Sequence, residues 1–249
     1  MDRLLEATAR AEREHFWFHG FRRFVRPLLE QAADGRRSLF SLDCGCGTGN
    51  NLALLRRYGA AIGIDLTFSG LKYATSRGDH SVAQASATEL PFPGEAFDLV
   101  SSFDVVYALP DDAEKAAVAE MFRVLKPGGY LVLNVAALPA LRGNHSVLGG
   151  EVRRYTKTRL RWALERGGFT IERLTYTNFS ILPIVATTRW LQRLSGHKES
   201  SSEISVPPAP INAALTAVLA VESVALKAVN MPLGSSVLCL ARKPSVRRV

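Results

Sequence analysis

Two short stretches hold the residue types most suited to chemistry. Asp43-Cys44-Gly45-Cys46-Gly47-Thr48-Gly49-Asn50 sets three glycines at alternate positions behind an acidic residue and an apolar run. Glycines in such a turn adopt backbone angles closed to other residues, and their missing side chains let a ligand lie on the main chain beside a helix N-terminus. The pyrophosphate pattern Gly-x-Gly-x-x-Gly fails in both registers, because its last glycine falls on Asn50 counting from Gly45 and on Leu52 counting from Gly47. Asp43 would also oppose a pyrophosphate, whereas a carboxylate there suits a cationic ligand. Asp65 closes the next apolar run, the position from which an acidic side chain accepts hydrogen bonds from both hydroxyls of a ribose.

A reaction that moves a proton would draw on His145, Tyr107, His19, Glu151 or Tyr155. His145 leads, because it follows the fifth predicted strand at the carboxyl edge of the sheet, where open α/β folds bind ligands. Three of them also have a plainer reading: a local hydrogen bond for His145, a pairing with Arg153 or Arg154 for Glu151, and a packed ring with a surface hydroxyl for Tyr155. Cys44 and Cys46 lack the second Cys/His cluster of a zinc site, so no metal is expected. Three cysteines form no even disulfide framework and suit a reducing compartment.

The elements that must position these residues follow an α/β rhythm. Strands are predicted over 38–42, 60–64, 97–101 and 130–134, with a weaker one over 81–84, and helices over 50–57, 69–76 and 113–125. Pro127-Gly128-Gly129 reads as the stop of the last of these helices. Beyond Lys157 come a helix over 158–166, a strand over 169–174 and a final strand over 236–241. The expected fold is a Rossmann-like, mostly parallel seven-stranded sheet with helices on both faces and a helical insertion before the last strand.

With these elements in place, the chain resembles class I S-adenosylmethionine-dependent methyltransferases, in particular the broad group that acts on small molecules. The resemblance rests on Asp43 to Gly49, Asp65, Leu90-Pro91-Phe92 and Leu125-Lys126-Pro127-Gly128-Gly129, and covers roughly the central half of the chain. It implies S-adenosylmethionine as cofactor and S-adenosylhomocysteine as product. It further implies that Gly45, Cys46 and Gly47 pass the methionine portion beside Asn50, with Asp43 near its ammonium. Asp65 would hold the ribose, Leu66 would meet the adenine, Ser86 and Ala87 would flank it, and Phe103 would lie near the sulfonium. Two positions depart from the group: Ser86 stands where many relatives have an aspartate, and Val106-Tyr107-Ala108 replaces a common Leu-Glu-His.

The implied function is methyl transfer to a small acceptor, with oxygen favoured as the methylated atom. The formal net charge of +8 keeps RNA methylation as an alternative, although no appended RNA-binding module is recognisable, and a cofactor-binding scaffold is a third reading. Residues 1–35 are read as a helical cap or lid, in which Phe16, Trp17, Phe18 and Phe21 either cover the cofactor or anchor the first helix. Residues 36–177 and 234–245 form the expected core, and 178–233 a helical substrate-side insertion. Its apolar-basic stretch over 179–194 suits core or dimer packing, or else peripheral contact with a membrane and a lipid-linked acceptor. No signal peptide is evident at the start, so the expected location is cytoplasmic and the expected state a monomer or homodimer.

Overall fold

The computed structural model describes residues 9–142, 150–195 and 206–245. Five parallel strands, β1 (Leu39–Cys44), β2 (Gly59–Asp65), β3 (Val82–Gln84), β4 (Phe97–Phe103) and β5 (Leu125–Ala136), are followed by β6 (Thr170–Thr177) and β7 (Ser236–Arg242). They form one seven-stranded sheet in the order β3-β2-β1-β4-β5-β7-β6, with β7 antiparallel to both its neighbours. Consecutive residues of the inner strands, such as Leu131, Val132 and Leu133, are all buried. That is the mark of a sheet covered on both faces, and it explains why these strands read as unbroken apolar runs.

The chain leaves β1 toward β2 on one side and leaves β4 toward β5 on the other. Connections that diverge in this way open a crevice at the carboxyl ends of the two strands. The glycine-rich turn follows β1 and residues 104–108 follow β4, so both border that crevice.

Helices α1 (Phe16–Ala33), α2 (Leu52–Leu55), α3 (Phe68–Ser76), α4 (Asp111–Val124) and α5 (Lys157–Arg166) surround the sheet. Two sequence expectations need correction. The helix over 50–57 contracts to the single turn of α2. Pro127-Gly128-Gly129 does not stop α4, because the helix ends at Val124 and Leu125 already pairs with Phe97. The next pairing is Leu99 with Tyr130, so the Pro-Gly-Gly segment sits in an irregularity inside β5.

Between β6 and β7 lie α6 (Leu182–Ser195) and α7 (Ala209–Ala225). Glu222, an acidic residue in an otherwise apolar helix, is buried because its carboxylate accepts the backbone N–H groups of Phe179 and Ser180 just beyond β6, each at 2.9 Å. The N-terminal end of α7 is tied to the entry of α1. Asn212 accepts the Phe16 N–H at 2.8 Å and donates to the Glu14 carbonyl at 2.7 Å.

The two helices approach closely where Gly20 faces the buried Leu219. A β-carbon on Gly20 would lie 2.4 Å from Leu219 Cδ1. Gly20→Leu is therefore expected to destabilise the chain by about 1–3 kcal/mol through overpacking. A urea denaturation curve with an unmoved midpoint would contradict this packing.

Candidate active site

β1 delivers Asp43 to the base of the crevice, 1% exposed. One carboxylate oxygen accepts the Ser101 hydroxyl of β4 at 2.6 Å; the other, Oδ2, is buried without a partner among the described residues. Burial, reinforced by Asp65 and opposed by the Ser101 hydrogen bond, pushes the carboxyl up to about 7. A buried carboxylate oxygen lacking a donor is costly, and an arriving cation would satisfy it.

Above Asp43 the chain turns through left-handed backbone at Gly45 (φ 85°) and Gly47 (φ 53°). Gly45 lies against the β4 exit, since an added β-carbon would meet Val105 Cγ2 at 2.1 Å, whereas the space over Gly47 is open. Cys46 is buried against Gly63 of β2. Asp65 holds this turn in shape: its carboxylate accepts the Gly47 N–H at 2.9 Å and the Thr67 N–H at 2.7 Å. Beyond it, Leu66 and Phe68 stand exposed as an apolar shelf. Ser86 spends its hydroxyl locally, 2.7 Å from Thr88 Oγ1 and accepting the Thr88 N–H, and Ala87 beside it is buried.

Asn50 is engaged with the segment before α1. Its amide donates to the Glu12 carboxylate, which also accepts the Thr48 hydroxyl. Glu12 thereby straps the segment before α1 onto the glycine-rich turn, and Arg22 supports it through the Glu12 carbonyl at 2.8 Å. Farther along, Trp17 stacks on Phe21 at 5.6 Å and Phe21 meets Phe103 edge-on at 5.0 Å. The aromatic residues of α1 thus reach the end of β4.

Asp104 follows Phe103 with left-handed backbone (φ 59°). Its N–H donates to the Asn134 carbonyl at 2.9 Å and its carboxylate accepts the Asn134 amide at 3.0 Å. Burial, with Glu151 adding to it and Asn134 and Arg154 opposing it, pushes Asp104 up to about 7. Tyr107 is partly buried three residues on, and burial together with the carboxylates of Asp104 and Glu151 pushes its hydroxyl well above the ordinary phenol range.

Glu151 and Tyr155 are already committed to other partners. Glu151 is buried in a two-pronged ion pair with Arg154 at 2.8 and 3.0 Å. The Tyr155 hydroxyl is not at the surface: the residue is fully buried and donates to Glu114 at 2.7 Å, within a cluster that also holds Arg153 and Arg159. His19 sits on α1 beside Arg22, and His145 lies outside the described residues. Sequence reasoning missed Asp104 and Glu12. The one signal for Asp104 was an acidic residue directly after an apolar strand.

A sheet of this order with its last strand reversed, a glycine turn after β1 and a carboxylate closing β2 is the arrangement of the class I methyltransferase fold. S-adenosylmethionine is the cofactor that this likeness implies. Residues 42–133 match the family described as methyltransferase domain. The ubiquinone/menaquinone biosynthesis C-methyltransferase UbiE of Proteus mirabilis is 34% identical over 134 residues, covering 49% of this chain and 52% of that protein. The chain spans about half the length of this curated relative or less of others, such as 41% of an uncharacterised Haemophilus influenzae protein.

Among solved structures, an S-adenosylmethionine-dependent methyltransferase from Mesorhizobium loti superposes with a TM-score of 0.55 at 20% identity, covering 87% of this chain and 96% of that one. The [4+2]-cyclase SpnF gives 0.55 at 22% identity, over 89% of this chain and 80% of that one. The shared fold therefore does not by itself fix the reaction.

The residues present fit the cofactor: Asp43 Oδ2 lacks a donor, the face of Gly47 is open, and each Asp65 oxygen has accepted a single backbone N–H. Asp43 is neutral below about 7 and a carboxylate above it, so affinity for the cationic cofactor should rise with pH across that value. Asp43→Asn should abolish the rise in calorimetric titrations; a slope that persists would remove Asp43 from ligand recognition. The same shift weakens the cofactor-free fold. Because the folded value lies above the ordinary 3.8, stability is lost as pH rises from that value toward about 7. Asp43→Asn should accordingly raise Tm more at pH about 8 than at pH about 5.

Proposed function

We propose that this chain transfers the methyl group of S-adenosylmethionine to a hydroxyl oxygen of a small acceptor. The observation that carries the reading is the set of carboxylates at the crevice: Asp43 buried with an unsatisfied oxygen, Asp65 bracing the glycine turn, and Asp104 partly buried at the end of β4. S-adenosylmethionine supplies an electrophilic methyl group on a sulfonium, and residues of this chain supply position and a proton acceptor.

In this reading Asp43 holds the ammonium and Gly45, Cys46 and Gly47 flank the methionine portion. Asp65 takes the ribose hydroxyls, and Leu66, Ser86 and Ala87 surround the adenine. Asn50 keeps the turn in place through Glu12. Phe103, backed by Phe21 and Trp17, supplies an apolar wall on the acceptor side. Holding both reactants in line can remove about 7–11 kcal/mol of barrier, so alignment is the main contribution.

The acceptor's proton goes to Asp104. Near neutral pH its carboxyl is poised to exchange a proton, and Asn134 fixes its orientation. Tyr107, held protonated by its surroundings, donates a hydrogen bond to the acceptor rather than removing its proton. The segment 9–35 acts as the cap over the turn, and α6 and α7 shape the acceptor side.

UbiE is a C-methyltransferase by name, so the methylated atom is the point to test. Transfer of labelled methyl should be screened across phenols, aliphatic alcohols, amines and activated carbon acids, with transfer to carbon or nitrogen alone counting against the oxygen assignment. Asp65→Ala should weaken cofactor binding about 10–100-fold, the loss of one or two charge-assisted hydrogen bonds. Asp104→Asn should slow turnover about 10²–10⁴-fold and flatten its rise through neutral pH while sparing cofactor affinity. A full rate in that variant would dismiss Asp104 as the base.

A further inference from the structure

We infer that α7 lies along the surface of an anionic lipid bilayer, with its outward face in the lipid and a basic rim on the headgroups. This inference is independent of which acceptor is methylated. The inward face of α7 is fully accounted for, since Leu219 packs on Gly20, Glu222 caps the chain after β6, and Leu226 is buried. The outward face is equally apolar. Ile211, Ala214, Val218, Val221 and Ala225 recur at helical spacing and are exposed, with Val224 beside them; Val221 is 72% and Val224 65% exposed. No charged side chain interrupts this face from Ile211 to Ala225 among the described residues. An ordinary solvated helix carries its charges on such a face, and a contiguous exposed apolar strip marks an interaction site.

The rim identifies the partner. A groove beside Val221 and Val224 is lined by Arg23 and Arg26 of α1 and by Lys227, with Glu30 its one carboxylate. Three cations against one anion, in a chain of net charge +8, complement anionic headgroups. A second copy packed on the same strip about a two-fold axis would bring two such basic rims together, which disfavours a dimer there. No helix among the described residues is long and apolar enough to cross a membrane. A 17-residue helix of this kind binds in the plane of the interface, its apolar side immersed and its flanking cations on the headgroups. Because Asn212 bonds to the backbone at Glu14 and Phe16, docking would set the strap over the glycine turn beside the bilayer.

Sedimentation of the full chain with phosphatidylcholine vesicles, with and without phosphatidylglycerol, tests the inference. Binding is expected to the anionic vesicles and to fall with added salt. Val221→Glu with Val224→Glu should weaken it about tenfold or more, since two exposed valines lose their burial in lipid. Arg23→Glu with Arg26→Glu should reduce binding toward the level on neutral vesicles, by about fivefold per cation. Circular dichroism should be unchanged in both variants, because all four side chains are exposed. Three results would overturn the inference: no binding to anionic vesicles, binding unaltered by the valine substitutions, or a dimer in sedimentation equilibrium that those substitutions dissolve.

Discussion

The hydrogen bond from the Gly47 N–H to the Asp65 carboxylate closes the glycine-rich turn onto the end of β2. A turn with left-handed backbone at Gly45, Gly47 and Gly49 has few intrinsic preferences of its own. Its shape must be imposed from outside, and three elements impose it. The Ile64 carbonyl accepts the N–H groups of Gly45 and Cys46, Asp65 accepts Gly47, and Glu12 holds Thr48 and Asn50. A surface presented to a ligand over Gly47 therefore depends on β2 and on the segment before α1 as much as on the turn itself.

The three acidic groups differ because the sheet desolvates them differently. Asp43, inside β1, is enclosed by neighbouring strands and keeps one oxygen without a donor, so burial dominates its chemistry. Asp65 lies at an open strand end, where two backbone N–H groups satisfy it. Asp104 lies past the end of β4, partly buried and turned by left-handed backbone so that Asn134 of β5 meets both its N–H and its carboxylate. One sheet edge thus carries two carboxyls that burial raises to about 7, Asp43 and Asp104, and a third, Asp65, held by two backbone N–H groups. That division follows from depth and strand position rather than from residue type.

Much of this was legible in the sequence, for local reasons. The parallel strands appear as apolar runs because both sides of the sheet are covered, and Asp43 and Asp65 were recognisable because each sits beside a strand end and a turn. What escaped depended on partners far away in the chain. The orientation of Asp104 comes from Asn134, 30 residues on, and the role of Glu12 comes from Asn50, 38 residues on. The buried hydroxyl of Tyr155 depends on Glu114, 41 residues earlier. Pro127-Gly128-Gly129 looked like a helix stop because proline and glycine do end helices, but the pairing of Leu125 with Phe97 had already overridden local preference.

The likeness in fold to SpnF, a [4+2]-cyclase, shows that such a fold leaves the reaction open. Residues 103–107 supply an apolar wall and a carboxylate, α1 leans Phe21 on that wall, and α7 fixes α1 through Asn212 and the contact of Leu219 with Gly20. The insertion between β6 and β7 is therefore mechanically continuous with the strap on the glycine turn. The links from α7 to the segment before the turn are the Asn212 hydrogen bonds and the Leu219 contact with Gly20. Differences in that insertion among proteins sharing this core would then alter access to the crevice without changing the residues that face the cofactor.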